Sequence, residues 1–187
     1  MTSKTSLFKK GLIISDFKRF WWVSALYALI LFFAVPFNLL MQGLRWKDVR
    51  NSEFLIRNLS LIANRNGLHE LLICIVPVAT AVLVFRYLQV ERSSSLMHSF
   101  PLKRSELFAN HSAAGFLLFA IPVVFTSLVL LVMQPMSFLG EYQSLPDVLK
   151  WTGMTLLLEA LFFSSAVFVG MFTGSSIAQI VFIYILH

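Results

Sequence analysis

The order of apolar and charged positions divides the chain into long apolar runs separated by charged segments. No Asp, Glu, Lys or Arg occurs from Phe20 to Leu44, and none occurs from Leu107 to Gly140. At a rise of about 1.5 Å per residue, each run forms a helix longer than the roughly 30 Å hydrocarbon core of a bilayer. The runs lack the period-two alternation of a membrane β-barrel. The pattern therefore predicts transmembrane α-helices.

Two further apolar runs are predicted to cross the membrane, although charged residues lie at or inside them. The run from Leu71 to Phe85 is shorter, and it spans only if His69–Glu70 and Arg86 lie near the two interfaces, where long side chains reach water. The run from Trp151 to Phe172 contains one acid, Glu159. A last apolar segment covers about half a bilayer, which predicts either the start of a fifth helix in a longer protein or a short re-entrant tail. The predicted spans are residues 20–43, 69–87, 108–133 and 151–172, with a partial span at 176–187.

Composition agrees with an all-α, polytopic transmembrane helical bundle that forms one domain over residues 1–187. The chain is 58% hydrophobic and 13% charged, with a mean hydropathy of +0.79. An ordinary soluble domain is about 45–50% apolar and about 25% charged. These values exclude a disordered chain, a disulfide-stapled secreted module and a typical cytosolic enzyme. Cys74 is the single cysteine, so an intrachain disulfide is excluded as well.

Basic residues beside the apolar runs predict how the protein is oriented. The N-terminal flank, residues 1–19, carries five basic residues against one acid, Asp16. Because basic flanks stay in the cytoplasm and the first span usually dominates, we expect a multi-pass protein of the cell membrane with a cytoplasmic N-terminus. Residues 88–107 then form a second cytoplasmic segment. Trp and basic side chains favour the headgroup level, and four residues are the expected interface anchors: Lys18, Arg19, Trp21 and Trp22.

The cytoplasmic loop at residues 88–107 is the most informative part of the sequence. It is longer than a minimal helix hairpin needs, and it mixes bulky apolar residues, Leu96, Met97 and Phe100, with charges. An amphipathic piece of this kind presents apolar side chains to a cytoplasmic partner. The alternative interpretation is a solvated basic loop without a partner.

One phrase in this loop resembles a known family. The segment His98-Ser99-Phe100-Pro101-Leu102-Lys103-Arg104 precedes the third apolar run, and it is similar to the "hSLPhxR" phrase of the permease subunits of ABC-2 type ABC transporters. It departs from that phrase at Phe100, where Leu is commoner. The opening of the first span, Phe17–Trp22, also looks like the start of Gram-positive members.

The resemblance implies a six-span permease half whose cytoplasmic loop docks on a separate ATPase subunit. It also implies a second permease subunit, in a homo- or heterodimer, alongside the lipid bilayer. Pro101 would fix the turn into the third span. The chain departs from this family in length, because only about four and a half of the six expected spans are present. The residues carried over to the ATPase-docking loop are Glu91, Arg92, Leu96, Met97, His98, Phe100, Pro101, Lys103 and Arg104.

Motifs for other chemistry are missing from the sequence. It contains neither G-x-x-x-x-G-K-[ST] nor G-x-G-x-x-G, so the chain is not expected to be an enzyme by itself, and ATP hydrolysis is expected in a partner. The four histidines show no metal-binding spacing, and we expect no metal or cofactor. The net charge of +6 lies beside the spans, which indicates lipid contact rather than nucleic acid. The alternative function is a non-transport membrane module for assembly, immunity or scaffolding.

Glu159 is the one acid predicted deep within a span. It lies eight residues after Trp151, which is about 12 Å along a helix. A carboxylate at such a depth costs about 2.5–3.5 kcal/mol on insertion scales, so it marks a candidate functional site. It is protonated, paired with a group on further helices, or in contact with a wet cavity. The purely structural interpretation is an interhelical hydrogen bond that specifies packing.

The orientation is tested with reporter fusions. A reporter at the N-terminus or after Arg92 is expected to read cytoplasmic, and one after Arg57 is expected to read external, because the spans alternate from a basic N-terminal flank. Alkaline phosphatase and green fluorescent protein fusions give the two readings. An external reading after Arg92 would overturn the assignment of all spans.

Overall fold

The computed structural model describes residues 10–45, 60–61, 67–85, 104–136 and 143–172. Apart from two short stretches at 60–61 and 143–144, all of these residues lie in helices. Four helices in the described part of the chain are long and apolar enough to cross a membrane. The prediction of an all-α transmembrane bundle is therefore confirmed.

The first span is built from three helical pieces that follow one another without a break. They are α1 (Lys10–Phe32), a π-helical turn (Phe33–Phe37) and α2 (Asn38–Arg45). The remaining helices are α3 (Gly67–Phe85), α4 (Arg104–Met136) and α5 (Leu145–Phe172).

The π-helical turn has a cause in the sequence. Pro36 lies inside it and is buried. Proline lacks the backbone N–H that would bond to the carbonyl four residues earlier, and its ring crowds that carbonyl. A local change to wider winding relieves this conflict without ending the helix. The apolar pattern predicted one uninterrupted span here and missed the turn.

The helices extend past the predicted spans at several ends. The first helix begins at Lys10, ahead of the predicted start at residue 20. The fourth span begins at Leu145 instead of residue 151, and the Asp147 side chain in its first turn accepts hydrogen bonds from Ser144, the residue before the helix. The Ser144 backbone N–H and hydroxyl both donate to Asp147 Oδ2, at 3.0 and 2.6 Å. This cap stabilises the first turn, and the spacing of Ser144 and Asp147 is readable in the sequence.

Contacts at the two ends of the bundle fix the direction of the helices. Asp16 near the start of α1 contacts His111 near the start of α4. His69 near the start of α3 stacks on Trp151 near the start of α5, with ring centroids 5.2 Å apart. The helices α1 and α4 therefore begin at one end of the bundle, and α3 and α5 begin at the other. This is the up-and-down order that successive membrane spans require.

The helices form two close pairs. The helix α1 packs mainly on α4, and α3 packs mainly on α5, while α4 also contacts α3 and α5. The helices α3 and α4 thus lie between α1 and α5. Buried side chains from all four spans fill the interior, among them Leu31, Ala81, Phe119 and Ala166. Large apolar side chains also cover the outer surface, as expected for a bundle surrounded by lipid.

Gly115 allows α4 and α5 to approach closely. A Cβ atom at this position would lie 2.6 Å from Cζ of Phe163. The Phe163 ring is itself held against Phe119, with centroids 5.5 Å apart. Gly153 on α5 differs, because no atom lies within 4 Å of its virtual Cβ. Only Gly115 of these two glycines is required by packing.

Gly115→Ala is therefore expected to destabilise the bundle by about 1–3 kcal/mol, the usual effect of overpacking a filled core. Unfolding by SDS in mixed micelles measures the free energy. Gly153→Ala is the matched control, and it is expected to be neutral or stabilising because alanine favours helix over glycine. Phe163→Leu, which shortens the obstructing side chain, should reduce the effect of Gly115→Ala. Equal stability of Gly115→Ala and Gly153→Ala would contradict the close contact.

Candidate functional site

Glu159 lies on the buried face of α5. The residues one turn before and after it, Thr155 and Phe163, are buried as well. Glu159 itself has 0% of its surface exposed. Residues four positions apart share a helix face, so the sequence places the carboxyl inside the bundle and not toward lipid.

Tyr27 of α1 is the hydrogen-bond partner of Glu159. Its phenolic hydroxyl donates to Glu159 Oε1, and only 1% of the tyrosine is exposed. The sequence left several alternatives for Glu159. In the structure, its Oε1 atom takes part in an interhelical hydrogen bond. The partner lies on the first span of this same chain.

The sequence carries a signal for this pair that was missed. Tyr27 lies eight residues after Arg19, which is about 12 Å of helix from the expected headgroup level. Glu159 lies at about the same depth from Trp151 at the opposite end. Both side chains are therefore near the middle of a roughly 30 Å core. A buried tyrosine hydroxyl needs a partner, and depth matching selects Glu159.

The second carboxyl oxygen of Glu159 is in a different environment. Oε2 is buried, and it has no hydrogen-bond partner among the described residues. A buried polar atom without a partner is unfavourable by about 1–3 kcal/mol, and more when it is charged. The two oxygens of one carboxyl are therefore unequal.

The Tyr27–Glu159 bond joins the two helix pairs. Tyr27 belongs to the pair formed by α1 and α4, and Glu159 belongs to the pair formed by α3 and α5. Because α1 and α5 pack mainly on other helices, this side-chain bond reaches across the interior of the bundle. It is a specific contact in an interior that is otherwise mainly apolar.

A second polar cluster lies at the end of the bundle where α1 and α4 begin. His111 Nδ1 contacts Asp16 Oδ2 across these helices. His111 is 2% exposed, and Asn110, directly before it, and Glu106, five residues before it on α4, are buried too. The Asn110 amide donates to the backbone carbonyl of Glu106 at 2.6 Å. The sequence pattern does not predict this contact between Asp16 and His111.

A small cavity lies at the opposite end. It measures about 20 Å³, and Asn38, His69 and Trp151 are among its lining residues. A cavity of this size holds about one water molecule. The cavity is too small for a transport substrate, so it is not a candidate substrate site.

The predicted interface anchors lie on α1. All four side chains are exposed, and Trp21 and Trp22 are 60% and 52% exposed. The Arg19 guanidinium lies over the Phe20 ring, 5.3 Å from its centroid. This arrangement is compatible with headgroup contact by Lys18, Arg19 and both tryptophans.

The predicted docking loop lies outside the described residues, except for its last position, Arg104, where α4 begins. Within the described ranges, no group of three or more His, Cys, Asp or Glu side chains is arranged to hold a metal ion.

In comparisons with known proteins, no family model, no curated protein and no solved structure matches the chain. The class is given by the structure itself. The chain is a polytopic α-helical membrane protein with a polar pair buried at mid-depth.

A double-mutant cycle tests the Tyr27–Glu159 bond. Tyr27→Phe, Glu159→Leu, which removes the acceptor, and the double variant are expected to give a coupling energy of about 0.6 kcal/mol and at most about 1.7 kcal/mol, the average and the maximum for interhelical hydrogen bonds in membranes. SDS unfolding of the full chain provides the free energies. Ser24→Ala removes another buried hydroxyl from α1, so its combination with Glu159→Leu is the control and should be additive. A coupling energy of zero between Tyr27 and Glu159 would contradict the bond.

Proposed function

We propose that this chain is the membrane-spanning permease subunit of an ABC-2 type ABC transporter. It moves a substrate across the cell membrane with energy from a separate ATPase subunit, and it pairs with a second permease subunit. Its N-terminus is cytoplasmic. Four helices long and apolar enough to span a membrane are observed in the described part of the chain, and the transport function, the partners and the orientation are the content of the proposal.

The observation that carries the proposal is the position of the His98–Arg104 phrase. The phrase ends at Arg104, which is the first residue of α4, the third long span. In the permease subunits that it resembles, the same kind of phrase leads from a cytoplasmic coupling loop into the third span. The match in sequence and the match in location are separate observations, and both favour the same family.

The direction of the helices supports this location. Because α1 and α4 begin at one end of the bundle, the loop before α4 is at the same end as the basic N-terminal flank. Basic flanks favour the cytoplasmic side. A loop on that side is accessible to a soluble ATPase, which is where a coupling loop must lie.

The Tyr27–Glu159 pair adds a second line of support. Ionisable residues inside the membrane are unfavourable and mark substrate or ion pathways more often than other intramembrane residues do. This pair connects two helix pairs, and relative movement of helix groups is how membrane transporters alternate between states.

The docking loop is tested with the full-length protein, affinity-purified from membranes of its host. We expect an ATP-binding subunit to co-purify, identified by mass spectrometry through its phosphate-loop sequence. Met97→Asp combined with Phe100→Asp should lower its recovery by about tenfold or more, because interface energy concentrates in a few buried apolar side chains. The ATPase activity of the purified complex should fall in parallel.

Lys103→Ala combined with Arg104→Ala is the matched control. It changes two side chains of the same loop that are expected to face lipid headgroups, so recovery of the ATPase should change little. Wild-type recovery with the double aspartate variant would locate the docking site elsewhere. Purification of the wild-type protein without any ATP-binding subunit would favour the non-transport module.

A further inference from the structure

The carboxyl of Glu159 offers two oxygens that the bundle treats differently. Oε1 accepts a hydrogen bond from the Tyr27 hydroxyl. Oε2 is buried without a hydrogen-bond partner among the described residues. The residue has no exposed surface, so solvent does not reach Oε2 in this arrangement. The question is what a buried oxygen without a hydrogen-bond partner can bind.

An ionised carboxylate does not fit this environment. A carboxylate only accepts hydrogen bonds, and its charge is shared by both oxygens, which together accommodate about four donors. The described residues supply one donor, Tyr27, and they place no Lys, Arg or His within ion-pair distance of Glu159. Burying an unpaired charge in an apolar interior is strongly unfavourable.

A neutral carboxylic acid fits the same environment better, because an unpartnered neutral group is less unfavourable in the interior than an unpartnered charge. Its carbonyl oxygen accepts, as Oε1 does from Tyr27, and its other oxygen carries the proton. The phenol selects which oxygen is the carbonyl, because a donor bonded to Oε1 disfavours a proton on Oε1. A proton is also small enough for a site without accessible surface.

We propose that Glu159 binds a proton on Oε2, and that Tyr27 is the positioning residue that directs the proton to this oxygen. The bundle then contains an intramembrane carboxylic acid between its two helix pairs. Loss of that proton would leave a carboxylate between α1 and α5 with Tyr27 as its one donor among the described residues, so the packing of the two helix pairs seen here depends on the proton being bound. The inference rests on the described side chains alone and does not require the transport proposal.

Infrared spectroscopy of the full-length protein in lipid nanodiscs tests the proposal. Synthesis with glutamate labelled with ¹³C at the side-chain carboxyl separates glutamate bands from those of aspartate. At neutral pH we expect a band in the region of protonated carboxyl groups that is lost in Glu159→Gln. In Tyr27→Phe the same band should persist and move to higher frequency, because a hydrogen bond to a carbonyl oxygen lowers its stretching frequency.

Glu106→Gln is the matched control, since Glu106 is the other buried glutamate among the described residues, and it should leave the Glu159 band in place. If Glu159→Gln instead removes a carboxylate band, Glu159 is ionised and the proposal is wrong. If the protonated band does not shift in Tyr27→Phe, Tyr27 does not position the proton. The Tyr27→Phe measurement keeps the carboxyl itself, so it remains decisive if Glu159→Gln fails to assemble.

Discussion

The absence of water from the bilayer core is the constraint on which the rest of this structure depends. Every peptide N–H and C=O at membrane depth needs a partner inside the protein, and a helix supplies that partner from its own backbone. The spans are helical for this reason, and the chain keeps winding where proline interrupts the pattern. At Pro36 it changes to a π-helical turn and continues as α2 instead of ending.

The same constraint governs the side chains. Lipid is as apolar as leucine, so helices gain little by hiding apolar surface from it. Specific contacts must then decide how the helices pair. Gly115 does this by letting the Phe163 ring approach the α4 backbone, and the Tyr27–Glu159 bond does it by satisfying a polar group between helix pairs. A different packing of the same helices would lose both of these contacts.

The sequence predicts the four long helices, because charge-free runs such as Phe20 to Leu44 reflect the bilayer thickness directly, while the predicted partial span at 176–187 lies outside the described residues. It also indicates Glu159, since a lone acid at that depth is expensive and therefore conspicuous. Tyr27 is much harder to find, because tyrosine is common in membrane proteins and its hydroxyl carries no charge. Asp16 and His111 are hidden for another reason: they lie near the ends of their helices, where polar residues are ordinary. Their contact depends on the register between α1 and α4, which periodicity does not encode.

The location of the polar contacts separates two tasks within the bundle. Asp16 and His111 join α1 to α4, which are already close neighbours, so their contact strengthens a pair that apolar packing also holds. Tyr27 and Glu159 join helices that are not close neighbours, so little apolar packing competes with or replaces their bond. The relative position of the two helix pairs therefore depends more on the Tyr27–Glu159 bond than on the contact between Asp16 and His111. The chain between α3 and α4 joins one helix of each pair, and each of these two helices contacts both members of the other pair, so a movement of α3 or α4 can reach the buried carboxyl through the packing of the bundle.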